Sequence, residues 1–176
     1  MDITKEKACL CALNRIFGFE PRIGTALLSH FDRASEVFEL NEKDISGILG
    51  PFNRFSGQIK AEKIEESADE LIRLAGSGTR FVGWNEDGYP PLLKECPDAP
   101  VGLYIRSKTE DSDLWTPHPV SVVGTRDLSP YGREWCTRIV NGFAACPART
   151  SVISGLAIGT DICAHRTAID SGLPTI

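Results

Sequence analysis

The last third of this sequence contains no lysine. From Pro119 to Ile176 the formal positive charges are Arg126, Arg133, Arg138, Arg149 and Arg166, set against four acids. The other 118 residues carry fourteen basic and twenty acidic side chains, and the chain has a net charge of −5. This balance speaks against a protein that coats nucleic acid by bulk electrostatics. Any polyanion site belongs in the last third and is built of arginine alone.

Other absences narrow the field further. No apolar run approaches the ~18 residues that a bilayer span needs. Met1 to Lys7 has no apolar stretch of the kind found in secretory signals, so a cytoplasmic location with no membrane association is the expectation. The six cysteines, Cys9, Cys11, Cys96, Cys136, Cys146 and Cys163, contain no Cys-x-x-Cys pair and no matching histidine spacing. They therefore suggest reduced thiols, four of them in apolar surroundings, and no metal site. There is no Gly-Lys-Ser/Thr loop, no Gly-x-Gly-x-x-Gly and no Gly-x-Ser-x-Gly. Nucleotide hydrolysis, hydride transfer and serine-hydrolase chemistry thus have no support, and no cofactor is implied.

What is present is an ordinary globular composition, 41% hydrophobic and 24% charged, in a chain long enough for a real core. Residues 1–76 read as a helical domain. Lys5–Phe17 has Ala8, Leu10, Cys11, Leu13 and Ile16 at mixed three- and four-residue steps, and Gly18 ends it. Pro21 opens a second helix. Shorter helices cover Ala34–Leu40 and Asp44–Leu49, the latter behind Asn41 as a cap. A longer one spans about Ser56 to Ala75, with Ile59, Ile64, Leu71 and Ile72 on one side. The turn Phe17–Gly24 has the outline of a helix-hairpin-helix, but Glu20 and Pro21 stand where the hairpin glycine belongs. Two readings stay open for it, a DNA contact and a structural or partner-binding bundle.

Residues 77–118 form a connector. Thr79–Trp84 and Val101–Ile105 are strand-like and are separated by dense turn chemistry. Both strands are expected to extend the sheet of the last third, because an isolated pair is marginal in water. A polar stretch, Ser107 to Asp113, leads on to Pro119.

Residues 119–176 carry the chemistry. Val120–Val123 reads as a strand covered on both faces, and it empties into Gly124-Thr125-Arg126. Ser129 caps the next helix with Pro130 at its first position. Tyr131, Trp135, Ile139 and Phe143 recur every four residues, which predicts one broad face packed on the sheet. The aromatics near the site that could stack a base are limited to Tyr131 and Trp135, with the core as the favoured place for Trp135. Cys146-Pro147 ends the helix. Ser151–Ile153 is a second strand, followed by Ser154-Gly155-Leu156-Ala157-Ile158-Gly159-Thr160-Asp161 and another helix, capped by Thr160 or Asp161.

Twice, then, a strand ends at glycine and hydroxyl residues ahead of a helix. This is the form of a βαβα unit whose strand ends accept a phosphate on free amides and a helix dipole. Arg126, at the carboxyl end of its strand, supplies a planar fork for that phosphate. Asp161 and His165, four apart on one helix, are expected to pair and shape the loop. A catalytic dyad built from them has no convincing nucleophile. A third strand is expected to begin at Ile176.

At these residues the chain resembles the DNA-processing protein A family (DprA, also called Smf). The matching stretches are Val122–Arg126 with Ser129, Tyr131 and Gly132; Ser154–Asp161 with Ala164, His165 and Ala168; and Pro174–Ile176. Gly88–Leu93 and Pro97–Tyr104 resemble the family's connector, and the helical start resembles its sterile-alpha-motif-like domain.

The resemblance implies an α/β fold, with an all-helical domain followed by a partial, C-terminally truncated Rossmann-like parallel sheet. It implies a non-catalytic, cytoplasmic protein of transformation and recombination that binds single-stranded DNA, dimerises when complete and delivers the DNA to the RecA recombinase. Gly124, Thr125, Arg126, Ser154, Gly155, Gly159 and Thr160 match the DNA- and phosphate-facing positions, with Asp161 and His165 in a shaping role. Two alternatives stand beside this reading: a nucleotide-binding enzyme of the phosphoribohydrolase-like group, and an inactive fragment whose half-sheet lacks a pocket lysine and the surfaces for the dimer and RecA.

Overall fold

The computed structural model describes residues 4–108 and 115–176. Most of the stretch expected as a polar linker, and the first three residues, lie outside them. The chain divides into two compact units, Met1–Ser107 and Lys108–Ile176.

The first unit is helical with a small sheet. It comprises α1 (Lys5–Ile16), α2 (Pro21–Leu28), α3 (Ala34–Val37), α4 (Glu42–Leu49), a 3₁₀ turn (Ser56–Gln58), α5 (Ala61–Gly76), β1 (Thr79–Gly83), α6 (Pro91–Lys94) and β2 (Gly102–Arg106). Asn41 caps α4 by accepting from the amides of Lys43 and Asp44. The Glu6 carboxylate reaches across to cap α3, accepting from the amides of Ala34 and Ser35. The core gathers Leu10, Leu13, Phe17, Leu27, Val37, Ile45 and Phe55. The helix expected as one piece from Ser56 is two: the 3₁₀ turn comes first, Ile59 leaves it with ψ 88°, and Lys60 is extended before α5 begins. Ile72, assigned to the inner face, lies exposed.

The two connector strands do not extend a larger sheet. Antiparallel β1 and β2 pair with each other, Phe81 opposite Tyr104, as a separate two-stranded sheet. The marginal stability of a lone pair is met by packing against helices. Phe81 and Val101 join the helical core, and the Gly102 amide donates to Asn14 Oδ1 on α1 at 3.0 Å. Tyr89 stands beside them with its hydroxyl on the Pro100 carbonyl at 2.8 Å.

The second unit contains β3 (His118–Ser121), α7 (Pro130–Ala144), β4 (Thr150–Ile153) and α8 (Thr160–Asp170). Strands β3 and β4 are parallel, in register from His118 opposite Thr150 to Ser121 opposite Ile153. Thr175 makes a further parallel bridge to Val152, with Ile176 N donating to Val152 O at 2.9 Å. The sheet itself has two strands, β3 and β4, and Thr175 stands beside β4 as an isolated bridge. The fold is α/β, a helical domain followed by a partial Rossmann-like parallel sheet. Among the described residues no helix is long and apolar enough to cross a membrane.

Helix α7 starts as the sequence predicts. Ser129 Oγ accepts from Gly132 N at 3.1 Å, and Pro130 is the first helical residue. Its inner face differs. Cys136 and Val140 are buried against Val152, Cys163, Ala164 and Ala168, with Leu128 and Phe143 at the edge. Tyr131, Trp135 and Ile139 are exposed, at 70%, 44% and 51%. A strict four-residue row winds ~40° around a helix at each step. The buried stripe instead follows the mixed spacing 136, 140, 143. Val123, expected inside a doubly covered strand, is likewise exposed, because β3 ends at Ser121.

All six thiols are free; Cys9, Cys11, Cys136 and Cys163 are buried, while Cys96 and Cys146 are exposed. Burial, with Glu6 adding to it, pushes the Cys9 thiol up to about 11. Burial and then the neighbouring Cys163 push Cys136 up to about 11. Iodoacetamide at pH 8 is expected to label only Cys96 and Cys146 rapidly, read by peptide mass spectrometry. The sign of the pH effect follows from the raised values. The stabilising contribution is complete below the unfolded thiol pKa near 9 and is lost as pH rises toward 11. The urea midpoint should therefore fall between pH 8 and pH 10.5.

Candidate functional site

The two glycine-bearing loops are physically locked together. The Gly159 backbone sits against the loop after β3 with φ +92°, and a Cβ there would lie 2.3 Å from the Thr125 carbonyl oxygen and 2.5 Å from that of Arg126. Only glycine combines that torsion with that approach. The next residue completes the contact. Thr160 donates to the Thr125 carbonyl twice, from its amide at 3.0 Å and from its hydroxyl at 3.1 Å. Gly124 is equally constrained, since a Cβ would meet Thr160 Oγ1 at 2.6 Å. A second tie lies at the strand ends, where Ser154 Oγ donates to the Val122 carbonyl at 2.6 Å. Gly124, Thr125, Ser154, Gly159 and Thr160 therefore belong to one structure.

Arg126 is exposed, and among the described residues no carboxylate pairs with it. Within the second loop, the Ala157 amide donates to Asp161 Oδ2 at 3.4 Å. The amides of Gly155, Leu156, Ile158 and Gly159 meet no acceptor among the described residues. Helix α8 begins at Thr160 with Gly159 as its N-cap and no side chain capping it, so neither Thr160 nor Asp161 occupies the cap position. The two loops thus carry an exposed guanidinium and four backbone amides that meet no acceptor among the described residues, while the α8 amides of Thr160 and Ile162 are taken up by the carbonyls of Thr125 and Ala157.

Asp161 and His165 are both buried, but they do not pair. Asp161 folds inward to hold Ala157, and its carboxylate occupies the space beside Gly155, where a Cβ would lie 2.9 Å from Oδ2. His165 turns to the bridge residue beside β4, with Nδ1 2.7 Å from Thr175 Oγ1. Because the Thr175 hydroxyl donates to the Val152 carbonyl at 3.0 Å, Nδ1 carries the proton and donates. Nε2 is buried without a partner. The Ser154 hydroxyl proton is committed to Val122. No serine–histidine or aspartate–histidine dyad is assembled from these groups, and their geometry shapes a loop.

Two features escape sequence reading. Leu156 adopts φ 58°, a left-handed torsion on a non-glycine residue, and nothing in its type announces this. Thr175 is the true partner of His165; its hydroxyl beside a new strand is the one available signal. Beneath the loop, the Cys136 thiol donates to the Thr160 carbonyl at 3.8 Å, which fastens the base of α8 to α7.

Parallel strands with glycine-bearing loops at adjacent carboxyl ends define a Rossmann-like α/β unit. Residues 80–176 match the family model described as DNA recombination-mediator protein A, and the chain belongs to that family. Among curated relatives it is similar to the protein Smf of Borreliella burgdorferi, at 31% identity over 157 residues, covering 85% of this chain and 45% of that protein. It is also similar to the DNA processing protein DprA of Streptococcus pneumoniae, at 35% identity over 91 residues, covering 52% and 30% of the two. The X-ray structure of the S. pneumoniae DNA processing protein A superposes with a TM-score of 0.67 at 26% identity, over 99% of this chain and 57% of that one. The chain thus spans less than half the length of these two curated relatives.

The locked glycine is testable against a glycine that is free. Gly159→Ala should lower stability by about 1–3 kcal/mol, through a disfavoured torsion and a backbone clash. Gly142 in α7 faces open space; Gly142→Ala should be neutral or stabilise by about 0.5–1 kcal/mol. Urea denaturation followed by circular dichroism measures both.

Proposed function

We propose that the chain binds the backbone of single-stranded DNA in the crevice formed by Gly124, Thr125 and Arg126 with Ser154, Gly155, Gly159 and Thr160, as a non-catalytic, cytoplasmic protein of transformation and recombination. The observation that carries this is the lock between the two loops, which brings Arg126 and the amides of Gly155, Leu156, Ile158 and Gly159, all without a partner among the described residues, onto neighbouring loops. Phosphate contacts of this kind position a strand without reading its sequence. The family membership supports DNA as the polyanion. The relative's name, DNA processing protein, and the family's description as a recombination mediator fit a protein that passes its strand to a recombinase, here RecA. A homodimer of the complete family protein belongs to the same reading.

The expected signature is salt-dependent affinity. Labelled oligo-dT should bind with anisotropy that falls as salt is raised. Arg126→Ala should weaken binding about tenfold or more and flatten the salt slope by roughly one phosphate contact. Equal binding by both proteins would sink the proposal, and release of base from a nucleoside monophosphate would replace it with an enzyme.

A further inference from the structure

The row Tyr131, Trp135 and Ile139 is not absorbed by the fold or by the phosphate crevice. Its rings are ordered relative to each other: Tyr131 and Trp135 stand edge to face, with centroids 6.1 Å apart and planes at 63°. This is a favoured geometry for an aromatic pair. The Arg138 guanidinium lies 5.4 Å from the Trp135 ring centroid and is held there by Glu134 Oε1 at 2.6 Å. Arg133 and Arg138 also line an open cavity of about 480 Å³ with Leu128, Pro130, Glu134 and Thr137. The aromatic surface starts in the first turn of α7, whose first residue, Pro130, is four positions after Arg126.

A helix that docks on another protein element presents an apolar stripe at least ~100° wide, built from three- and four-residue steps. The row here is one residue wide and is flanked by Glu134 and Arg138. Its exposed members are two aromatic rings and one isoleucine. Paired exposed rings, one of them with an arginine laid over it, are instead the equipment of a base-stacking surface, where every nucleobase offers a π-face and arginine adds cation–π attraction. The cationic neighbours match the charge of a phosphate backbone.

Resting on the reading of the crevice as a DNA site, we propose that Tyr131 and Trp135 form a platform on which unpaired bases stack, while the phosphates of the same strand lie at Arg126 and the Ser154–Thr160 loop. The platform selects single strands, since bases of a duplex are already stacked and paired. Arginine, tyrosine and tryptophan thereby divide the work: phosphates are held at the loops and bases on the helix.

The test compares oligo-dT with an abasic oligonucleotide of the same length, bound to the full chain. The wild type should prefer oligo-dT about tenfold, and its tryptophan emission should be quenched by oligo-dT alone. Tyr131→Ala/Trp135→Ala, both exposed positions, should bind the two oligonucleotides equally with the salt slope intact; Trp135→Ala by itself should abolish the quenching. A wild type that binds both probes equally overturns the platform, as does a double variant that keeps the preference, and the row is then a protein contact. In either case, salt-dependent binding lost in Arg126→Ala leaves the phosphate crevice standing. A wild type that binds neither probe removes the crevice and the platform together.

Discussion

The second unit depends on one contact, the Gly159 backbone pressed against the carbonyls of Thr125 and Arg126. A loop that follows one strand is usually free to move relative to the loop that follows its neighbour. Here the two share a surface with no room for a Cβ, and both donors of Thr160 converge on one oxygen. The result is a fixed spacing between the Arg126 backbone and the amides of the Ser154–Thr160 loop. Such preorganisation matters because a site that must be assembled on binding loses affinity to the ordering of its parts.

The remaining packing serves that contact. Small residues on α8, Ala164 and Ala168, are completely buried against α7 and β4, so the helix whose N-terminus faces the crevice lies close to its neighbours. The Cys136 thiol reaches the Thr160 carbonyl. On the opposite side His165, through Thr175, ties α8 to the β4 backbone at Val152. Each link is weak alone, on the order of 1 kcal/mol for a hydrogen bond. Together they hold the helix end in one place.

Much of this was legible in the residues. The second strand's end at Ser154-Gly155, the Ser129 cap and the helical first domain follow from local chemistry that tertiary packing leaves alone, whereas β3 ends at Ser121, three residues before Gly124. Failures came where tertiary context decides. Periodicity placed Tyr131 and Trp135 inside because it registers a row of large residues, whereas burial depends on which row meets the partner. Spacing paired Asp161 with His165, but a backbone amide and a threonine hydroxyl lay nearer to each. The connector strands were assigned to the larger sheet because two strands alone are marginal; a helical surface bearing Asn14 and the core around Phe81 stabilised them instead. The contact that matters most, between Gly159 and the carbonyls of Thr125 and Arg126, has no local signature beyond the glycine itself.

The central claim is that both loops act as a single anion-binding surface. Amide-resolved NMR titration of the chain with oligo-dT measures this directly. The account predicts that Thr125 and Arg126 shift together with Gly155, Leu156, Ile158 and Gly159, along one binding curve. Shifts confined to one loop, or to the helical unit of Met1–Ser107, would contradict it.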